Sequence, residues 1–360
     1  MGGESDAGPA PLQLPCVEAV LKKGIEEGLH YGAQLSVVMG KSRVDISVGE
    51  AAPGVPMTPE HVLCWSSSVK PILSIALGQL YERGLVDFED PISKHLPDFS
   101  QQGKGEVTIA HCLTHMAGLW NTTHGLGDYL PPERVVAHIC QKPLVDRWVP
   151  GVDCGYDSPA WFVGAGVVTA IDPQRRAYEN FVQEEIFGPL GLSSCSVGMP
   201  AARYSELKAK GLLAPIYHTA PPGRCKAWSP IQGENSSADV QYPNPAGNGR
   251  GPARELATLY AALLSDSEGH SSCFERGGRR TDSTADEQLG SDPRILKPST
   301  IELLTKPARE GVYDQLQGTD TAWSLGFALN CILSGRHSSA RAFGHGGSQS
   351  SWAFADPAFG

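Results

Sequence analysis

Ser67-Ser68-Val69-Lys70 sets a hydroxyl and an amine three residues apart, directly before an apolar run. On a helix, residues at that spacing share a face, so the Lys70 amine reaches the Ser67 hydroxyl. Serine is a poor nucleophile until a base takes its proton, and a desolvated lysine with a lowered pKa is such a base. A serine at the start of a helix also lies in a positive partial field, with backbone N–H groups free to receive an oxyanion. Pro71 has no N–H and crowds the carbonyl of Ser67, so a local distortion of the first turn is expected at the nucleophile. The four-residue motif is not unique. Ser205-Glu206-Leu207-Lys208 matches it in a polar segment, and Ser66 to Ser68 are also residues that commonly cap helices.

His111 and His115 stand four apart, as two zinc ligands on a helix would. The glutamate of a metalloprotease motif is missing between them and no third ligand is evident, so no metal is expected there; the serine–lysine chemistry calls for no cofactor either.

The elements that must position these groups follow from the apolar periodicity. A helix is expected from about Cys16 to Leu29, then two β-rich runs, Ala33 to Met39 and Val44 to Val48, around a Gly-Lys-Ser turn. Ile72 to Tyr81 is a strongly apolar helix with Gly84 placed to close it. Shorter helical patterns follow around Ile109 to Leu113, Trp161 to Ile171, Tyr178 to Ile186 and Ala253 to Leu264, separated by loops rich in Pro and Gly. Trp323 to Leu329 and Ser351 to Ala355 are β-like again. β structure at both ends around a helical middle implies that the two ends pair in space. Residues 1–14 are expected to be a flexible N-terminus. Residues 265–293 are almost without apolar content and are expected to be a disordered insertion in a single domain spanning 15–360.

Composition bounds the rest. The 360 residues suffice for one large core, and a net charge of −10 without a basic block argues against nucleic acid or anionic membrane as partner. No apolar run is long enough to span a bilayer. The start, Met1 to Ala10, has neither a secretory nor a transit pattern. The nine cysteines are scattered without a C-x-x-C pair, which suits a reducing compartment, and a cytoplasmic location is the expectation.

The stretch from Cys64 to Phe99 (CWSSSVKPILSIALGQLYERGLVDFEDPISKHLPDF) and VTIAHCLTHMAGL (Val107 to Leu119) resemble the serine β-lactamase-related family, which includes class C β-lactamases, D-alanyl-D-alanine carboxypeptidases and family VIII esterases. PGVDCGYDS (Pro150 to Ser158), the segment Phe181 to Pro200, the segment Ala246 to Leu264 and FGHGGSQSSWAFADP (Phe343 to Pro357) fit in the same order, so the resemblance covers nearly the whole chain from Cys16. It implies an α/β fold of the β-lactamase/transpeptidase type, an antiparallel sheet from both chain ends flanked by helices. Family members continue past Asp356-Pro357 into a further strand and a C-terminal helix, so the resemblance also implies that these last two elements are missing from a chain that stops at Gly360.

The resemblance implies roles as well. The family's Y-x-N motif falls on Tyr156-Asp157-Ser158, with Tyr156 assisting proton transfer and Ser158, a single hydroxyl, standing where an amide usually binds substrate. Tyr178-Glu179-Asn180 matches the letters but reads as a helix interior. His345-Gly346-Gly347 occupies the place of the third motif, and the N–H of Ser348 would pair with that of Ser67 to hold an oxyanion. The two glycines let substrate approach the backbone. A plain tight turn is the alternative for His-Gly-Gly. Histidine there is largely neutral and holds an anionic β-lactam carboxylate less firmly than lysine, which favours small ester or amide substrates. Trp65, Trp120, Trp161 and Trp352 are expected in the core or the pocket wall. The expected function is a serine hydrolase acting through an acyl-enzyme. The alternative is a non-catalytic scaffold that keeps the fold.

Overall fold

The computed structural model describes residues 13–217, 230–231, 233–265, 294–330, 334–348 and 350–359. The chain opens with helix α1 (Pro15–Glu26) and the antiparallel strands β1 (Gly32–Met39), β2 (Ser42–Ala52) and β3 (Val55–Pro56). A short strand β4 (Leu63–Ser66) leads through a 3-10 turn (Ser67–Val69) into α2 (Pro71–Glu82). The helical middle holds α3 (Ile92–His95), α4 (Ile109–Leu113), α5 (Pro132–Gln141), α6 (Pro159–Ile171) and α7 (Tyr178–Val182). After it come β5 (Ser196–Val197), α8 (Ala201–Ala209), α9 (Ser237–Gln241), β6 (Gly249–Gly251), α10 (Ala253–Ser265) and α11 (Pro298–Thr305). Strands β7 (Ala328–Leu329), β8 (Phe343–Gly347) and β9 (Ser351–Ala355) close the described chain.

Helix α2 is the axis of the core. Every residue from Pro71 to Leu80 is buried, which is what a helix apolar on all faces requires. α6 crosses it closely because Gly164 has no side chain: a Cβ there would come within 2.6 Å of Leu73. α11 approaches another face, where Gly78 meets Leu296, Thr300 and Leu304. Gly84 ends α2 at φ +69°, and the Leu85 N–H closes the end on the carbonyl of Leu80.

The two chain ends come together on α10. The Ala253 N–H donates to Gln34 Oε1 of β1 at 2.9 Å, and the Tyr260 ring stacks on Phe343 of β8 at 6.3 Å. Among the described residues the ends form two antiparallel sheets, β1-β2-β3 and β7-β8-β9, with no ladder between them. The expected pairing of the ends is therefore realised through the helix that both sheets cover, since strand patterning marks faces and not partners. The β-like run from Trp323 to Leu329 contributes only two ladder residues, Ala328 and Leu329; Gly326 breaks the rest at φ +93°. Helix α5 has apolar positions Val135, Ile139 and Cys140 on one face, a periodicity that the sequence reading passed over. The expected insertion at 265–293 lies outside the described residues apart from Ser265, which ends α10, and the expected flexible start lies outside them apart from residues 13 and 14.

A third small sheet, β4-β6-β5, carries the approach to Ser67. β6 is Gly-Arg-Gly because Trp65 and Val69 press on it: a Cβ on Gly249 would overlap Val69, and one on Gly251 would overlap Trp65 and Cys195. The Trp65 indole N–H donates to the Gly251 carbonyl at 2.9 Å, fixing the strand that ends at the serine.

Candidate active site

Ser67 begins the 3-10 turn rather than α2 itself. The Lys70 N–H donates to the Ser67 carbonyl at 3.0 Å, a bond between residues three apart, because Pro71 has no N–H to offer it. The distortion expected at the nucleophile is thus present. Ser66, just before it, sits at φ +48°, an uncommon conformation for a residue with a side chain. Lys70 is fully buried, and its Nζ lies 2.9 Å from Ser67 Oγ and 2.7 Å from the Ala246 carbonyl. Ser67 itself keeps partial solvent access. Burial lowers the Lys70 pKa to about 7, with Asp157 pulling the other way.

Tyr156 lies over this pair, with Lys70 Nζ 5.0 Å from its ring centroid. Its phenol interacts with the Ser67 hydroxyl, yet burial dominates and raises its pKa to about 12. The loop that carries it is anchored from below. The Tyr156 N–H donates to Asp314 Oδ1 at 3.1 Å, and the Asp157 N–H donates to His115 Nδ1 at 3.0 Å. Asp314 is itself buried beside Arg309, 3.8 Å away.

β8 runs past the serine. Gly347 stands opposite Ser351 in the β8–β9 ladder, and a Cβ on it would press into the Trp65 carbonyl and Ser351 Oγ and lie 2.9 Å from the Ser67 N–H nitrogen. Ser68 Oγ donates to the His345 carbonyl at 3.0 Å, tying the turn of Ser67 to β8. Gly347→Ala should therefore cost at least about 10²-fold in turnover of an ester substrate, the usual scale for disturbing an oxyanion site. The rate measured with an activated aryl ester checks this, and a near-native rate would show that the 65–67 backbone and β8 need not meet so closely.

The His345 ring is buried, with Nδ1 against the Gly346 carbonyl and no hydrogen-bond partner for Nε2. Burial first, and then Lys70, push its pKa down to about 3, so the ring is neutral. Ser348 is exposed after β8, and Ser158 is exposed just before α6. Ser67 with Lys70, Tyr156, and the His345–Gly347 strand are thus brought together from three distant places in the chain.

The competing matches fall elsewhere. Ser205 Oγ donates to the Ala201 carbonyl while Lys208 Nζ goes to Tyr204 Oη, so that S-x-x-K forms no pair. Tyr178 starts α7, buried in the core. His111 caps α4, accepting from the Thr108 N–H, whereas His115 stacks between Tyr156 and Trp161, so the two rings serve different ends. Trp161 donates its indole N–H to the Lys70 carbonyl at 3.0 Å, and its ring lies under the Lys70 amine at 5.3 Å.

The β-lactamase family model matches residues 17–359. The chain belongs to the β-lactamase family. Among its relatives are "Acyltransferase calJ" of Penicillium decumbens, 28% identical over 75% of this chain and 63% of that one, and "Esterase/beta-lactamase LipL" of Mycobacterium tuberculosis, 26% identical over 72% and 65%. The chain thus spans just under two thirds of the length of these curated relatives. The fold is also that of a family VIII carboxylesterase, with a TM-score of 0.76 at 22% identity over 95% of this chain and 88% of the other. Among the described residues no helix is long and apolar enough to cross a membrane.

Sequence reasoning weighed His115 only as a metal ligand and missed Asp157, Arg309 and Asp314, which with it form a buried layer beneath the site. One signal was available, an aspartate between Tyr156 and Ser158 just ahead of an apolar helix.

Proposed function

We propose that this chain is a serine hydrolase of small esters or amides that works through an acyl-enzyme on Ser67. The observation that carries the reading is the fully buried Lys70 amine 2.9 Å from the partly accessible Ser67 hydroxyl. Ser67 Oγ attacks the carbonyl carbon, its proton passes to the neutral Lys70 amine, and the carbonyl oxygen becomes an oxyanion facing the N–H groups of Ser67 and Ser348. The carbon–leaving-group bond then breaks as the leaving group takes a proton, and water repeats the sequence in reverse to release the acid. The pKa values divide the labour between the two proton carriers. Lys70 near 7 is the base at neutral pH, whereas Tyr156 near 12 stays a neutral phenol and acts as a relay.

Substrate class follows from His345. A neutral, buried imidazole supplies no positive charge for a substrate carboxylate, which favours uncharged esters and amides over β-lactams. Relatives named as an acyltransferase and an esterase/beta-lactamase support acyl transfer from small esters or amides. The test is turnover of short-chain aryl esters by the purified protein beside a Ser67→Ala control. Hydrolysis that depends on Ser67 supports the reading; a folded protein without it leaves the scaffold alternative in its place.

A further inference from the structure

We infer that Asp157 is a positioning residue for proton transfer, the buried counter-charge whose carboxylate governs whether Lys70 holds a proton. The inference rests on the hydrolase reading of Ser67 and Lys70. Asp157 has almost no solvent exposure, and among the described residues no side chain hydrogen-bonds to its carboxylate, which only the backbone N–H groups of Ala160 and Leu119 face. Its bond to His115 is made by the backbone N–H, not by the carboxylate. Two backbone N–H groups offset part of what a buried carboxylate costs, and no side chain completes its pairing. A charge nearby offsets more of that cost.

The charges facing it come from several elements. Lys70 approaches from the turn before α2, and Asp314 with Arg309 from the segment after α11. Arg309 and Asp314 already pair with each other, both fully buried. His115 accepts at Nδ1 and has its pKa held well below the usual histidine range by burial, then by Lys70, His345 and Arg309, so it brings no positive charge. His345 from β8 is neutral as well. Cys112 of α4 and Cys154 have raised pKa values and stay uncharged thiols, and Tyr156 stays a phenol. Lys70 is left as the one cation without another carboxylate. Burial raises the Asp157 carboxyl to about 7, against opposite pulls from the Ala160 N–H, Lys70 and the Leu119 N–H, so it titrates in the same range as the amine. Two such groups exchange protons as a pair. When Lys70 takes the Ser67 proton, the ammonium forms in a dry site beside a carboxylate instead of alone.

The experiment is the rate at which a fluorophosphonate labels Ser67 as a function of pH, in the native protein and in Asp157→Asn and Asp157→Ala. Removing the carboxylate withdraws the charge that holds the proton on Lys70, so the acid limb should move down by at least about one pH unit while the plateau falls roughly tenfold. A limb that stays in place in either variant, whatever its plateau, overturns the inference, since a purely structural role would lower the rate without moving the midpoint. If neither variant folds, infrared titration of the native protein decides. A carboxylic-acid band that disappears with the midpoint of the labelling limb supports the pair, and complete ionisation near an ordinary pKa of about 4 overturns it. Absence of any label on native Ser67 would defeat the hydrolase reading instead, and the infrared titration would still report on the pair.

Discussion

Ser67→Ala is expected to lower ester hydrolysis by at least about 10³-fold, because among the described residues no other hydroxyl at the site is paired with a buried amine. The fold should hardly notice. The change removes the contacts of Lys70 and Tyr156 with one hydroxyl, about 1 kcal/mol net each, and Lys70 Nζ keeps its second partner, the Ala246 carbonyl at 2.7 Å. Thermal unfolding measured beside the kinetics separates the two effects. Activity lost together with the melting transition would mean that the serine serves the fold and not the reaction.

Lys70→Met is expected to be equally damaging to turnover and to act on stability in the opposite sense. Methionine fills much of the same apolar sleeve but takes no proton, so a loss of at least about 10³-fold follows. In the folded chain the Lys70 pKa is lowered from 10.5 to about 7. Between those values the unfolded chain binds the proton and the folded one does not. Lys70 therefore costs stability below about pH 7, and the cost is relieved as pH rises towards 10.5. Methionine carries no such cost. The stability of the variant relative to the native protein should be most favourable at or below neutral pH, by up to several kcal/mol, and should decline as pH rises from 7 to 10. Denaturant unfolding at pH 7 and pH 9.5 reads that slope, and a pH-independent difference would mean that Lys70 titrates normally. The native enzyme should show the kinetic counterpart: kcat/KM falling about tenfold per pH unit below the acid limb near 7.

What could be read in advance depended on how far apart the partners are in the chain. Ser67 and Lys70 are one turn apart, so helical spacing alone predicted their contact, and Pro71 predicted a local distortion, whose form, a 3-10 turn, only the fold supplies. Tyr156 and the His345–Gly347 strand meet Ser67 across long stretches of chain, and only family resemblance could propose them. The helices α2, α6 and α10 were legible because burial leaves a strong apolar record, whereas α5 escaped as a mostly polar helix with a single apolar face. Strand partners were the least legible feature. Both ends read as β, but their meeting on α10 depends on contacts such as Ala253 with Gln34 and Tyr260 with Phe343, which no local pattern encodes. The buried layer of Asp157, His115, Arg309 and Asp314 was hidden for the same reason. Each is an ordinary polar residue until the fold places it under the nucleophile.

The central claim is that Ser67 is an activated nucleophile. Labelling the folded protein with a fluorophosphonate and mapping the adduct by mass spectrometry tests it without knowledge of the substrate. A single adduct on Ser67 is expected, lost when the protein is unfolded beforehand or when Lys70 is replaced by Met. A folded protein that acquires no adduct there, or an adduct that survives unfolding, would contradict it.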